Sequence, residues 1–333
     1  MKIMKILVTG GLGFIGSNFI LRLLERDDIE ITNIDAELYG SDHRNLSKAK
    51  NSDKYNFVKG NISNKKLMEE EIGKCDAVVN FAAESHVDRS INDANPFLVS
   101  NIRGAFTILD IITKQKKRMI QISTDEVFGS LETGTADEQS KINPSSPYAA
   151  TKAAAELLIN SYSKTFNSDV IITRCTNNFG PRQFVEKLIP KTIILANKEL
   201  QIPIYGEGKN IRDWIFVENH CDAVDRILFN GKSGESYNIS ADNEINNIRI
   251  VKKILDIMDK SEDLIKFVED RPGHDFRYSM TSKKISNELG WKVKTSFDEG
   301  LEKTVQWYLD SPEILNNISQ TVLDPTPWKD NQR

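Results

Sequence analysis

Ser123-Thr124-Asp125-Glu126 closes an apolar run, Met119 to Ser123, that reads as a buried strand. Adjacent carboxylates at a strand end are a costly place to put charge. Beside a redox cofactor they suggest chemistry that uses an acid and a base in one turnover. Two like charges in close contact do not both ionise cheaply, so one group keeps its proton near neutral pH. Strictly alternating side chains point to opposite faces, so the pair needs an irregular strand end to converge. An ordinary pair of loop acids fits the same residues.

Tyr148 and Lys152 form a second constellation. Positions i and i+4 share a helix face. Pro144-Ser145-Ser146-Pro147 precedes them, with Ser146 suited to the N-cap and Pro147 to the first turn. The Lys152 cation, and an oxidised nicotinamide nearby, would lower the Tyr148 pKa. A phenolate could then take a proton from a sugar hydroxyl while hydride leaves the same carbon. Taken alone, a Tyr and a Lys on a helix are more often solvated.

Such groups need a cofactor beside them. Thr9-Gly10-Gly11-Leu12-Gly13-Phe14-Ile15-Gly16 spaces glycines 10, 13 and 16 at a strand-to-helix turn. Glycine permits positive φ and close backbone approach to a pyrophosphate, and the helix N-terminus offers unpaired N–H groups. Asp35 ends the next apolar run. A carboxylate there accepts bonds from ribose hydroxyls and repels a 2′-phosphate, which favours NAD over NADP. A helix cap or a loop acid is the competing use of Asp35.

The positioning elements alternate. Residues 3–9, Ile29–Asp35, Tyr55–Lys59, Asp76–Ala82, Met119–Ser123 and Val170–Cys175 read as strands. Ser17–Glu25, Asn101–Thr113 and Tyr148–Phe166 read as helices between them. The pattern predicts an α/β fold, a Rossmann-type doubly wound parallel sheet with a smaller C-terminal substrate-binding lobe. Residues 1–176 are expected to form the NAD-binding domain, with later segments able to return to it. Residues 177–333 would form the nucleotide-sugar lobe and tail. Helices are expected there at Lys187–Asn197, Asn219–Phe229 and Asn247–Lys260. The tail from Ser311, rich in Pro and Asn, is expected to be mobile or to wrap the surface.

The chain has 333 residues and a net charge of −4, which gives no general attraction to nucleic acid or anionic membrane. Cys75, Cys175 and Cys221 lack metal-ligand spacing and fit a reducing, cytoplasmic setting. No metal is expected from four histidines without ligand spacing. No signal peptide or membrane span is expected either.

Gly10–Gly16, Ala82–Ser90, Thr124–Gly129, Pro144–Lys152, Arg174–Pro181, Glu186–Pro190, Tyr205–Gly208, Arg212–Trp214 and Arg271–Asp275 together resemble the extended short-chain dehydrogenase/reductase family. Within it the chain is similar to the dTDP-glucose 4,6-dehydratases, up to about Tyr308. Thr124-Asp125-Glu126 is the narrower marker, since related epimerases carry small hydroxyl residues there. The resemblance implies that Tyr148 deprotonates the C4 hydroxyl as hydride passes to NAD. Glu126 would then remove the C5 proton, and protonated Asp125 would help the C6 hydroxyl leave as water. Hydride returns to C6, giving a 4-keto-6-deoxy sugar for deoxysugar biosynthesis such as that of rhamnose.

The resemblance also implies binding residues. Gly10, Gly13, Phe14, Ile15, Gly16, Asp35, Leu38, Asn61, Ile62, Phe81, Ala82, Ala83, Ser100, Tyr148, Lys152 and Asn178 would hold the cofactor. Ser85 and Thr124 would contact the hexose, and Asn177 and Asn247 the substrate. Lys187, Arg212 and Arg271 would meet the diphosphate, and Leu188 the substrate. Asp270 and His274 would flank Arg271, and Pro203, Ile204 and Tyr205 would line the nucleoside pocket. His86 is expected only to support Ser85.

Three positions depart from the family pattern. Asn61 replaces an Asp, and its oxygen could still accept from the adenine amine. Phe128 and Phe179 replace tyrosines. A homodimer is implied through the helix of Tyr148, with Ala153, Ala154, Ala155, Leu157 and Leu158 as a small apolar face; packing on the sheet is the competing use. Dehydratases of UDP- or CDP-linked sugars, and an epimerase or decarboxylase of the same fold, remain alternatives.

Overall fold

The computed structural model describes residues 3–316. β1 (Met4–Thr9) leads into α1 (Phe14–Leu24), β2 (Ile29–Asp35) and β3 (Tyr55–Lys59). α2 (Lys65–Gly73), β4 (Ala77–Asn80), α3 (Val87–Asn92) and α4 (Asn95–Phe97) follow. Then come α5 (Ala105–Gln115), β5 (Arg118–Thr124), α6 (Pro147–Phe166), β6 (Val170–Cys175) and β7 (Asn177–Phe179). α7 (Leu188–Asn197), β8 (Ile202–Tyr205), β9 (Ile211–Phe216), α8 (Val217–Asn230) and β10 (Ser236–Ile239) continue the chain. It ends with β11 (Glu244–Asn246), α9 (Asn247–Ile257), β12 (Ile265–Val268), α10 (Lys283–Leu289), α11 (Phe297–Leu309) and α12 (Pro312–Asn316).

Seven parallel strands form the main sheet in the order β10-β6-β5-β4-β1-β2-β3. Alternation along β1 sends Ile6 and Val8 to one face and Leu7 to the other. The first face packs against Phe19, Ile20 and Leu23 of α1 and Val224 and Ile227 of α8. The second meets Ile108, Leu109 and Ile112 of α5 and Ile159 of α6. Each fully buried side chain of this size stabilises by about 2 kcal/mol. Strand order reverses between β1 and β4, so a crevice opens beyond their C-terminal ends.

Two small sheets build the second lobe, one of β11-β9-β7 and one of β12-β8. Ile189 and Ile193 of α7, Ile250 and Ile254 of α9, and Leu301 and Val305 of α11 share its core. Two later segments rejoin the first lobe. β10 pairs with β6, and Asp222 and Asp225 of α8 hold Arg22 of α1 at 2.7 and 3.1 Å.

Element edges differ from expectation where local bonding intervenes. The strand expected over Asp76–Ala82 shortens to β4, with Asp76 at its start accepting from Lys5 N–H at 2.8 Å. The helix expected from Asn101 begins as a π-helical stretch, Leu98–Gly104. α9 stops at Ile257, and Asp259 just beyond adopts φ 51°. Residues 312–316 of the tail are helical; 317–333 lie outside the described residues.

Candidate active site

One cavity follows the strand ends at the crevice, and Gly10, Gly13, Phe14, Ile15 and Gly16 form part of its wall. Gly10 has φ +70°, and a Cβ there would lie 2.6 Å from the Ala82 backbone. A Cβ on Gly16 would lie 2.5 Å from the Gly10 carbonyl. Only glycine fits at either position. The N-cap of α1, Gly13, carries no capping side chain, so the first-turn N–H groups stay open to an anion.

Asp35 stands at the end of β2 on the same wall, 6% exposed. Its carboxylate accepts from Leu12 N–H at 3.0 Å, Glu37 N–H at 2.9 Å and Ser41 Oγ at 2.8 Å. Leu38, Asn61, Ile62, Phe81, Ala82, Ala83 and Ser100 complete this part of the cavity. A backbone cradle, an open helix end and a strand-end carboxylate fit a dinucleotide such as NAD. Asn61 Oδ1 accepts from Ser63 N–H at 2.9 Å and Ser63 Oγ at 2.8 Å. The acceptor expected for the adenine amine is therefore engaged in its own turn.

At the end of β5 the chain turns into a 3-10 turn, Asp125–Phe128, capped by Thr124. Thr124 Oγ1 accepts from Glu126 N–H at 3.2 Å and donates to Asp125 Oδ1 at 3.1 Å. This supplies the irregular strand end that the pair requires, and both acids line the cavity. Asp125 Oδ2 and Glu126 Oε2 are buried with no hydrogen-bond partner among the described residues. An unsatisfied buried carboxylate oxygen costs stability and marks a place where a ligand completes the bonding.

The two acids differ electrostatically. Burial pushes the Asp125 carboxyl well above the usual range, and Glu126 and Asp213 push it further. Burial also raises Glu126, but Arg271, Arg212 and Lys187 oppose it. Asp125 is thus the group that keeps its proton, and Glu126 the one that more readily gives it up.

Ser146 Oγ caps α6 by accepting from Ala149 N–H at 3.1 Å, and Pro147 occupies the first turn. Tyr148 is buried beside the pair, its backbone N–H donating to Ser90 Oγ at 3.2 Å. Burial and Glu126 hold the phenol well above its ordinary pKa, opposed by a bond to the Thr124 hydroxyl. Lys152 is not among the groups that act on it, so the lowering expected from Lys152 is not seen. Lys152 itself is pushed down to about 8 by burial and donates to the Ile122 carbonyl at 2.5 Å.

Asn101 was not singled out from sequence, yet it joins two parts of the site. Its side chain bonds both backbone groups of Glu84 at 2.9 Å and Thr151 Oγ1 at 3.0 Å. The π-helical stretch that carries it leaves no simple periodicity to find. His86 caps α3 and faces Glu186 at 3.5 Å. Burial, with Lys187 and Arg271, holds it well below its ordinary pKa, hence neutral.

Ser85, Asn177, Asn178 and Lys187 face the same cavity, with Lys187 Nζ donating to the Ser85 carbonyl at 3.4 Å. Arg271 donates to Asp88 at 2.7 Å, and Tyr205 OH to the same carboxylate at 3.2 Å. His274 meets Asp270 at 2.6 Å. Arg212 directs its guanidinium to the Ile211, Asp275 and Phe276 carbonyls and stacks 4.2 Å from the Tyr278 ring. These bonds prop up the 275–278 segment. Strand alternation turns the Ile204 side chain into the core with Ala196, Val251 and Leu255, away from Pro203 and Tyr205. Leu188 packs against the same cluster. Asn247 opens α9, its N–H donating to the Asn210 carbonyl at 3.1 Å and its Oδ1 buried with no partner among the described residues.

A doubly wound sheet, a glycine cradle and a buried tyrosine–lysine pair define a dehydrogenase-type fold of the short-chain kind. The chain belongs to the family described as GDP-mannose 4,6 dehydratase, whose model matches residues 7–304. It is 46% identical over 311 residues to the low-salt glycan biosynthesis protein Agl12 of Haloferax volcanii, covering 93% of this chain and 100% of that one. It is 42% identical over 314 residues to the dTDP-glucose 4,6-dehydratase of Streptomyces niveus, covering 92% and 94%. The solved structure of the dTDP-glucose 4,6-dehydratase DesIV of Streptomyces venezuelae, with NAD bound, is similar at a TM-score of 0.91. Identity to it is 39%, covering 93% of this chain and 98% of that one.

Proposed function

We propose that this protein is an NAD-dependent 4,6-dehydratase that converts dTDP-glucose to dTDP-4-keto-6-deoxyglucose for deoxysugar synthesis. The observation that carries it is the buried Asp125–Glu126 pair with its divided proton affinity, beside Tyr148. Gly10, Gly13, Gly16 and Asp35 would hold NAD, which would supply a hydride acceptor for C4 and, once reduced, a hydride donor for C6. In the phenolate form that the positive nicotinamide ring of bound NAD would favour, Tyr148 takes the proton of the C4 hydroxyl, and the Thr124 hydroxyl holds it in place. The resulting ketone acidifies the C5 proton, which Glu126 removes. Asp125 gives its proton to the C6 hydroxyl, which departs as water, and C5 is reprotonated in the last step. An epimerase or decarboxylase has no use for both acids. Lys187 and Arg271 are suited to the diphosphate.

Mass spectrometry of dTDP-glucose incubated with the protein tests this reading. The expected product has lost one water, with no net consumption of NAD. An unchanged mass with altered stereochemistry overturns it in favour of an epimerase. Parallel incubations with UDP- and CDP-glucose are expected to turn over more slowly than dTDP-glucose.

Homodimerisation through α5 and α6 is part of the proposal. Ala153 and Ala155 pack inward, whereas Leu98, Val99, Phe106, Leu157 and Phe166 are exposed. Leu157 is 61% exposed, a large apolar side chain on a helix that also carries the active-site tyrosine. Light scattering is expected to give twice the chain mass, and Leu157→Glu with Phe106→Glu to give monomers. A wild-type monomer at micromolar concentration refutes it. A cytoplasmic setting is supported by three buried free cysteines. No helix among the described residues is long and apolar enough to cross a membrane.

A further inference from the structure

Asp88 lies in the first turn of α3, 4% exposed, and its two oxygens meet side chains from the other lobe. Oδ1 accepts from Arg271 Nη1 at 2.7 Å and Oδ2 from Tyr205 OH at 3.2 Å. Tyr205 ends β8, and Arg271 lies in the segment after β12. One carboxylate carried by the first lobe thus holds two separate pieces of the second. Arg271 in turn acts on two acids, Asp88 and Glu126.

We propose that Asp88 is a positioning residue that sets Arg271 and Tyr205 for the nucleoside diphosphate and tempers the Arg271 charge acting on Glu126. The inference rests on the dehydratase reading and assigns Asp88 no contact with the reacting atoms. A guanidinium shared between two carboxylates stabilises each less than it would one alone.

Other charges bear on Glu126 from every side. Asp125 shares its turn, and Tyr148 comes from α6. Lys187 precedes α7 and Arg212 lies on β9, both favouring the carboxylate form. Asp275 opposes them from the Arg271 segment, where Tyr278 also feels Glu126. Near Asp88, His86 is neutral, and burial and Arg271 push His274 down to about 4. The positive charge that Asp88 contacts is therefore that of Arg271.

Asp88→Asn keeps the shape and the acceptor oxygen but removes the charge. Arg271 then acts undivided on Glu126, and the base loses its proton at lower pH. The acid limb of kcat against pH is expected to move down by about one unit, with Asp88→Glu restoring the wild-type limb. Asp88→Ala also releases Tyr205 and Arg271, and dTDP is expected to bind about tenfold more weakly by calorimetry. Because the Arg271 part of the effect is already lost in Arg271→Ala, adding Asp88→Ala to that variant is expected to weaken dTDP binding by clearly less than in the wild-type background. An unmoved acid limb in Asp88→Asn overturns the inference, even if the variant melts earlier. Wild-type dTDP affinity in Asp88→Ala overturns it as well. Wild-type protein that binds dTDP but releases no water from dTDP-glucose sinks the dehydratase reading instead, and the dTDP series still decides the role of Asp88.

Discussion

Asp125→Asn is expected to stop water loss while leaving oxidation at C4 nearly intact. The amide keeps the volume of the acid and its bond from Thr124, but it has no proton to give the departing hydroxyl. General acid catalysis of this kind is worth about 10²- to 10⁴-fold, so dehydration is expected to fall by that order. With substrate deuterated at C4, loss of the label from that carbon to bound NAD in a single turnover, read as reduced nicotinamide, is expected at close to the wild-type rate. Equal slowing of label loss and water loss would remove Asp125 from the acid role. The wild-type pH profile follows from the same group. Burial and Glu126 raise the Asp125 pKa, so its acid form persists upward from the usual carboxylate range. Activity is present below the raised pKa and is lost as pH rises through it. Asp125→Asn is expected to flatten that alkaline limb in its residual rate.

Tyr148→Phe is expected to fail one step earlier. Without the phenol, nothing at this position takes the C4 proton, and neither label loss nor water loss proceeds. A fall of about 10³-fold or more in both is expected, with NAD and dTDP affinities little changed. The phenol is buried beside two acids, so its removal is also expected to leave the thermal midpoint unchanged or slightly raised. Near-full turnover by this variant would eliminate Tyr148 as the base.

Much of the scaffold was legible because short-range rules decide it. Ile29–Asp35, Tyr55–Lys59 and Val170–Cys175 form the strands expected, the first two from alternating apolar residues and the third from a run buried on both faces. Ser146 and Pro147 start α6 as their chemistry dictates. The glycine turn was readable because spacing and flanking elements agreed. Other features depend on contacts between distant residues. The convergence of Asp125 and Glu126 needs a 3-10 turn held by Thr124, which no periodicity announces. Asp88 meets Arg271 across 183 positions of chain, and Asn101 meets Thr151 across 50. The bonds of Arg212 to the Asp275 and Phe276 carbonyls, more than 60 positions away, are likewise invisible to local pattern.

The return of β10 to the main sheet bears on how the molecule is assembled. The last strand beside β6 and the helix covering α1 arrive only after the chain has passed through β7, α7, β8 and β9. A nascent chain ending near residue 176 presents β6 as an open edge and leaves Phe19, Ile20 and Leu23 without their partners on α8. The two lobes are therefore interlocked in order of synthesis and cannot mature one after the other. A gene fragment cut between them is expected to aggregate, whereas insertions at the exposed turn around Gly134 leave this closure untouched.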